Sequence, residues 1–214
     1  MEKPKKISFQ TAKYDELVTV VNLNFGKKSG IFDEWFNYNY SLNPDETQFF
    51  IELIDEYKDI LSSFSEEDLK MEYISPIIRK VRFRTQNCRG FFNRPLKTKI
   101  NDVQIGGITD FMVASGIKIP QEPYFFIQEF KQTKHSVDAE DQLLAEMLVA
   151  TELNKTNIMR GACIIGTVWR FVVLEKNDKN EYLYYISEAF DSLSFNGLKQ
   201  IYVCLQAVKH LYCK

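Results

Sequence analysis

Gly106-Gly107-Ile108-Thr109-Asp110-Phe111-Met112-Val113 and, after a turn-rich gap, Pro123-Tyr124-Phe125-Phe126-Ile127-Gln128-Glu129-Phe130-Lys131 decide how this chain folds. Both segments read as strands, rich in β-branched and aromatic residues and bounded by Gly, Ser and Pro. In the second, Phe126 and Ile127 lead straight into Glu129 and Lys131, two charged side chains where a strand should still be half buried. Strand side chains alternate faces, so Glu129 and Lys131 share one face while Gln128 and Phe130 point the other way. Paired as a hairpin, the segments let Asp110 join them. Two carboxylates and an ammonium at one sheet edge carry a desolvation cost that a cation or charged substrate would offset. The plainer alternative is a surface ion pair between Lys131 and a nearby acid, which contributes little.

A chain of 214 residues, 45% hydrophobic and 26% charged, is long enough for a real core and has the composition of a soluble globular protein. A net charge of -2 gives no global signal for polyanions, so any nucleic-acid surface must be a local patch. The four cysteines form no C-x-x-C pair and there are two histidines, which argues against a zinc cluster. Cys163 and Cys204 sit in apolar runs and read as buried free thiols. The basic start, Met1 to Lys6, has no apolar region after it, and no run is long enough to span a bilayer. The expectation is a reducing, cytoplasmic location with no membrane contact.

Upstream of the two strands, residues 1–65 read as a helical, aromatic-rich N-terminal extension. Tyr14 to Leu23 fits a strand or a short helix. Phe32, Trp35, Phe36, Tyr38 and Tyr40 suit core or partner packing better than base stacking. Asn43-Pro44-Asp45-Glu46 starts an amphipathic helix running to about Ser62. Ser65 caps a second helix with apolar positions Leu69, Tyr73, Ile74, Ile77, Ile78 and Val81, where Pro76 warns of a kink or break and Glu72 lies close to the stripe. Charge then reverses. Asp45 to Glu72 holds ten acids against Lys58 and Lys70, whereas Arg79, Lys80, Arg82, Arg84, Arg89, Arg94, Lys97 and Lys99 follow with no acid among them. That block is either a phosphate-contacting surface or a solvated loop paired with the acidic helix. Lys97 to Gln104 suggests a first strand. Downstream come a helix from Ser136 to Leu153 with Gln142 in its first turn, two central strands around 161–166 and 169–175, a tight turn into a further strand, and a closing helix.

A helix with an inward Glu, a strand ending in Asp, a strand carrying Glu-x-Lys, a helix with an early Gln and another strand: that order resembles the PD-(D/E)XK nuclease superfamily, closest to the nuclease-like N-terminal domains of type I restriction-enzyme motor subunits. The resemblance spans Glu66 to Glu175, about half of the chain. It implies an α/β restriction-endonuclease-like core, a mixed central sheet flanked by helices, over residues 66–214, packed with the helical extension as one unit. By the resemblance Asp110 and Glu129 correspond to the metal-binding acids and Lys131 to the catalytic lysine. Glu72 corresponds to the acid of the preceding helix and Gln142 to the glutamine after the lysine. Thr109 stands where the family has Pro.

The implied activity is Mg2+- or Mn2+-dependent hydrolysis of phosphodiester bonds in nucleic acid, with DNA the expected substrate. Asp110, Glu129 and the Phe130 backbone carbonyl would hold the metal, and Glu72 would extend its shell through water. Lys131 would assist the attacking water, and Gln142 would hold a water or a phosphate oxygen. Arg79, Arg82, Arg84, Arg89, Arg94, Lys97 and Lys99 would contact the nucleic-acid backbone. A homodimer or a partner protein would supply specificity. Two alternatives stand beside this: a catalytically silent nuclease-fold module for nucleic-acid binding or protein assembly, and an interaction domain that docks a partner on its aromatic N-terminal segment.

Overall fold

In a computed structural model, which describes residues 5–131 and 138–213, the described residues form eight strands and seven α-helices. In order these are β1 (Lys6–Ser8), α1 (Tyr14–Leu17), β2 (Asn22–Phe25), α2 (Asp33–Phe36), α3 (Pro44–Tyr57), α4 (Glu66–Asp68), α5 (Ser75–Val81), β3 (Cys88–Ile100), β4 (Val103–Ser115), β5 (Gln121–Lys131), α6 (Ala139–Asn154), β6 (Ile158–Ile165), β7 (Val168–Lys176), β8 (Glu181–Asp191) and α7 (Phe195–Tyr212). The strands form one mixed sheet in the order β1-β4-β5-β6-β7-β8-β2, with β3 paired to β4. The pairs β1–β4, β5–β6 and β8–β2 are parallel, and the others are antiparallel.

Alternation along the strands divides the core into two layers. Phe111, Val113, Phe126 and Phe130 pack with α3, α5 and α7 on one face, while Met112, Ala114 and Ile127 pack with α6 on the other. Helix α6 is buried nearly all round, as expected of a helix enclosed by sheet and N-terminal segment. The helix start expected at Ser136 lies outside the described residues; within them Asp138 caps α6 by accepting from the Glu140 N–H.

The first 65 residues are more than a helical extension. They supply β1 and β2, which lie at the two ends of the strand order, and Phe9, whose ring leaves no room for a Cβ at Gly107. The ambiguous Tyr14–Leu23 segment divides into α1 and the start of β2. Trp35 is buried against Phe126 and Phe171 and donates to the Cys204 carbonyl at 2.7 Å, so the aromatic cluster belongs to the core. At the start of α3, Asn43 and Glu46 form the reciprocal capping box. Asn43→Ala is expected to lower stability by about 1 kcal/mol, read as a lower urea midpoint at unchanged slope.

Pro76 does not break the second helix. Residues Leu69–Ile74 form a π-helical stretch between α4 and α5, a wider turn that takes up the ring and missing N–H of the proline just beyond it. Lys97 to Gln104 is not one strand. Lys97 to Ile100 end β3, which begins at Cys88; Asn101-Asp102, both with positive φ, form the two-residue hairpin turn; and Val103-Gln104 already belong to β4. Cys88 and Cys213 form a disulfide joining the start of β3 to the end of α7, while Cys163 and Cys204 are buried free thiols. The cysteine spacing disclosed no such bond, and it sits poorly with the reducing location expected above. Among the described residues no helix is long and apolar enough to cross a membrane.

Candidate active site

Strand β4 gives one edge to β3 along its whole length. Its other edge is shared, β1 taking Gln104 to Gly106 and β5 taking Phe111 to Ser115. Among the described residues, Gly107 to Asp110 have no strand on that side. The β4–β5 pairing ends at Phe111 and Gln128, yet β5 continues beside β6 as far as Lys131 and Ile165. The two strands therefore part where the chain carries Asp110 and Glu129-Phe130-Lys131. Asp110 Oδ2 accepts from the Phe130 N–H at 2.9 Å, standing in for the ladder bond that β4 no longer supplies. A strand residue directs its N–H and C=O to the same edge, so the Phe130 carbonyl faces this gap as well.

By alternation Asp110, Glu129 and Lys131 lie on the α6 face. Glu129 is 5% exposed, and its Oε1 is 2.9 Å from Lys131 Nζ. Burial, then the charge of Asp110, pushes the Glu129 carboxyl from 4.5 up to about 8, outweighing the opposing pull of Lys131. Burial would lower the Lys131 ammonium, but Glu129, then Glu66 and Asp110, outweigh it and hold it above the usual lysine range. A carboxyl with a raised folded pKa keeps a proton that the unfolded chain has released, so stability falls as pH rises from about 4.5 to about 8. In chelator-containing buffer the melting temperature of the wild type should decline across that window. Glu129→Gln, which has no proton to lose, should flatten the decline.

The helical segment over this site brings residues that sequence reading missed. Lys70, 6% exposed, donates to Asp110 Oδ1 at 2.8 Å and to Asn93 Oδ1 at 3.0 Å, and its Nζ lies 5.7 Å from the centre of the Phe130 ring. Glu66, one turn earlier, comes within 3.6 Å of Lys131. Glu72, expected to point inward, is exposed, and its charge acts on Tyr57 instead. Two positions beyond an inward Lys70 is about half a helical turn, which faces away. The available signal was Lys70 itself, one of two bases among ten acids and adjacent to the buried stripe.

Helix α6 closes the other side. Gln142 is 3% exposed with its Oε1 unpartnered among the described residues, in the first turn as expected. Glu146 was not singled out, although a Glu four residues after Gln142 in the apolar run Leu143 to Leu148 is anomalous. It is fully buried, and neither carboxyl oxygen has a hydrogen-bond partner among the described residues. Burial, then the charges of Glu129 and Asp110, holds it well above the ordinary carboxylate range.

The basic block divides. Arg79, Arg82, Arg84 and Arg89 rim a cleft of about 550 Å3 floored by Phe83, Phe92 and Phe111. Arg89 is engaged with the Ile117 carbonyl at 2.7 Å, and Arg82 ends α5 in the left-handed conformation. Arg94 is half-buried with its Nε unpartnered among the described residues. Lys97 and Lys99 lie roughly 26 and 33 Å along β3 from Arg89 at the strand rise per residue, and Lys99 pairs with Asp102 at 2.7 Å. The arginines thus gather at one end of the hairpin, while the two lysines sit apart. No acid closes on the arginine rim: among the described residues Arg79, Arg82 and Arg84 make no ion pair.

Among the described residues no three His, Cys, Asp or Glu side chains form a ready-made metal cluster. Asp110 is engaged by Lys70, and Glu129 by Lys131. No model of a known protein family matches this chain, and no curated protein is significantly similar to it in sequence.

Proposed function

We propose that this protein is a Mg2+- or Mn2+-dependent nuclease of PD-(D/E)XK type, hydrolysing phosphodiester bonds of nucleic acid, with DNA as substrate. The observation that carries the reading is the gap where β4 and β5 part, with Asp110, Glu129 and Lys131 converging there on one largely buried face. The mixed sheet covered by helices on both faces supports it.

The residues present fit a hard divalent cation, because Asp110, Glu129 and the Phe130 carbonyl offer an all-oxygen donor set. When bound, such a cation neutralises charge on a phosphoryl oxygen and makes a water nucleophilic near neutral pH. Lys131, held above the usual lysine range, acts as a cation and hydrogen-bond donor: it orients the attacking water and opposes the negative charge developing on the phosphate. Gln142, buried in the first turn of α6, holds a water through its unpartnered carbonyl. Glu72 has no part, since it faces outward. Arg79, Arg82, Arg84 and Arg89 hold backbone phosphates without reading bases.

The test is cleavage of circular and linear, single- and double-stranded substrates in Mg2+, Mn2+ or chelator. Metal-dependent products that vanish in Asp110→Asn are expected, and no cleavage of any substrate overturns the reading. The Lys70–Asp110 bridge favours a second reading, a catalytically silent module in which an ammonium permanently takes the cation's place. Such a module would bind nucleic acid yet show no heat of Mn2+ binding by calorimetry.

A further inference from the structure

We infer that the arginine-rimmed cleft takes an unpaired nucleotide of a single strand, its base against Phe92 and the flanking phosphates on Arg79, Arg82 and Arg84. This rests on the nucleic-acid reading above but needs no metal. The cleft, about 550 Å3, has the size of pockets that enclose small ligands. Its floor is aromatic: the half-buried Phe92 ring lies 4.8 Å, centre to centre, from Phe111, which lies 6.1 Å from Phe83. A Cβ at Gly90 would stand 2.7 Å from the Phe111 ring, so the glycine gives that ring its place in the floor. Phe111 follows Asp110 in β4, and Asn93, which follows Phe92, accepts from Lys70, so the cleft and the candidate active site are neighbours.

The rim is fixed by its own bonds. Gly90 N–H donates to the Phe83 carbonyl at 3.0 Å and Thr85 N–H to the Cys88 carbonyl at 2.8 Å, and the Cys88–Cys213 disulfide ties the start of β3 to the end of α7. Arg79, Arg82 and Arg84 stand exposed there, without an ion pair among the described residues. Lys209 of α7 adds to the same field: it donates to the Val81 carbonyl at 2.9 Å, and burial, then the charge of Arg82, hold it below the ordinary lysine range. Glu46 acts on Lys209 in the opposite sense, but its carboxylate already accepts from the Tyr40 and Tyr202 hydroxyls. A half-open ring amid unpaired guanidiniums suits a ligand both flat and anionic, which is the chemistry of a nucleotide. Arg79 sits in the last turn of α5 and Arg82 and Arg84 after it, so the charges are spread along the rim as the successive phosphates of a strand are, and those of a free nucleotide are not. In a duplex each base face is covered by its neighbours, and only phosphates could meet this cleft. Stacking on Phe92 accepts any base, in keeping with a site that reads no sequence.

The experiment is fluorescence anisotropy in chelator, so that nothing is cleaved. The probes are a labelled single-stranded DNA, the same strand in a blunt duplex, and a strand of equal length whose sugars carry no bases. The single strand should bind at least tenfold more tightly than either of the others. Phe92→Leu, which keeps an apolar side chain in the floor, should weaken single-strand binding about tenfold, within the range for one aromatic–base stack, and leave duplex binding unchanged. Wild-type affinity in a folded Phe92→Leu protein overturns the inference. Equal affinity for the strands with and without bases does so as well and needs only the wild type, so it decides the matter even if Phe92→Leu does not fold. A duplex bound as tightly as the single strand overturns the inference and leaves the nuclease reading standing. Displacement of the strand by a nucleoside mono- or triphosphate at the strand's own dissociation constant would assign the cleft to a free nucleotide and overturn it likewise. No binding of any nucleic acid overturns both readings, whereas tight single-strand binding with no cleavage in Mg2+ or Mn2+ upholds this one and removes the nuclease.

Discussion

Lys131→Ala is expected to lower the cleavage rate by about a thousandfold, the range found when a positioned group at a reacting centre is removed, while Mn2+ and DNA binding stay within a few fold of wild type. The asymmetry follows from position. Lys131 lies at the last paired position of β5, half-buried, with its Nζ 2.9 Å from Glu129 and 3.6 Å from Glu66. It offers no oxygen to a metal and is not among the arginines of the cleft. Its removal leaves the Asp110, Glu129 and Phe130 donors in place, and it also takes away a cation that pulls Glu129 down, so binding should become more dependent on pH. Single-turnover cleavage at saturating Mn2+, with calorimetry on the same preparation, checks both halves. Loss of the folded circular dichroism spectrum would instead make Lys131 a structural residue.

Lys70→Met should act in the opposite sense on metal binding. Removing one partner of a buried, hydrogen-bonded ion pair leaves the other charge uncompensated, and with Asp110 partly exposed the expected cost is about 2 kcal/mol of stability in metal-free protein. In the nuclease reading Asp110 Oδ1 is then open to the cation, so Mn2+ should bind at least tenfold more tightly than in wild type and restore the lost stability. At a hundredfold excess over its dissociation constant a ligand stabilises by about 2.7 kcal/mol, enough to cover the loss. Thermal melts of both proteins with and without Mn2+ decide the matter. A Lys70→Met protein that stays destabilised in Mn2+ points to the silent module, in which Lys70 is the site's permanent cation.

Much of the framework is legible in the sequence. The alternation around Asp110 and Glu129-Phe130-Lys131 correctly gave two strands, their antiparallel pairing and the shared face, because strand side chains report their face with a period of two. The Asn43 cap and the early Gln142 were legible for the same reason: each is a local relation between residue type and position within one element. The errors were also local in origin. The apolar stripe Leu69, Tyr73, Ile74, Ile77, Ile78 and Val81 is buried as expected, but Glu72 was placed beside it at the wrong phase, because Lys70 and not Glu72 turns inward from the π-helical stretch. The basic block looked like one surface, because charge counting carries no direction; folding sends four arginines to a cleft and two lysines down a hairpin.

The sequence by itself determined the strands around Asp110 and Glu129-Phe130-Lys131, the face each of their residues takes, the helix capped by Asn43, and the composition of the Asp110, Glu129 and Lys131 group. Only the tertiary structure decided that β1 and β5 share one edge of β4 and leave a gap at Asp110, and that Lys70 and Glu66 reach Asp110 and Lys131 there. The physical reason is that periodicity is a property of one element, whereas a site depends on which faces of separate elements meet. Register, edge sharing and helix phase set that meeting through contacts far apart in the chain. The gap at the end of the β4–β5 pairing, and not the Glu-x-Lys spacing alone, is therefore where Asp110, Glu129 and Lys131 are brought together.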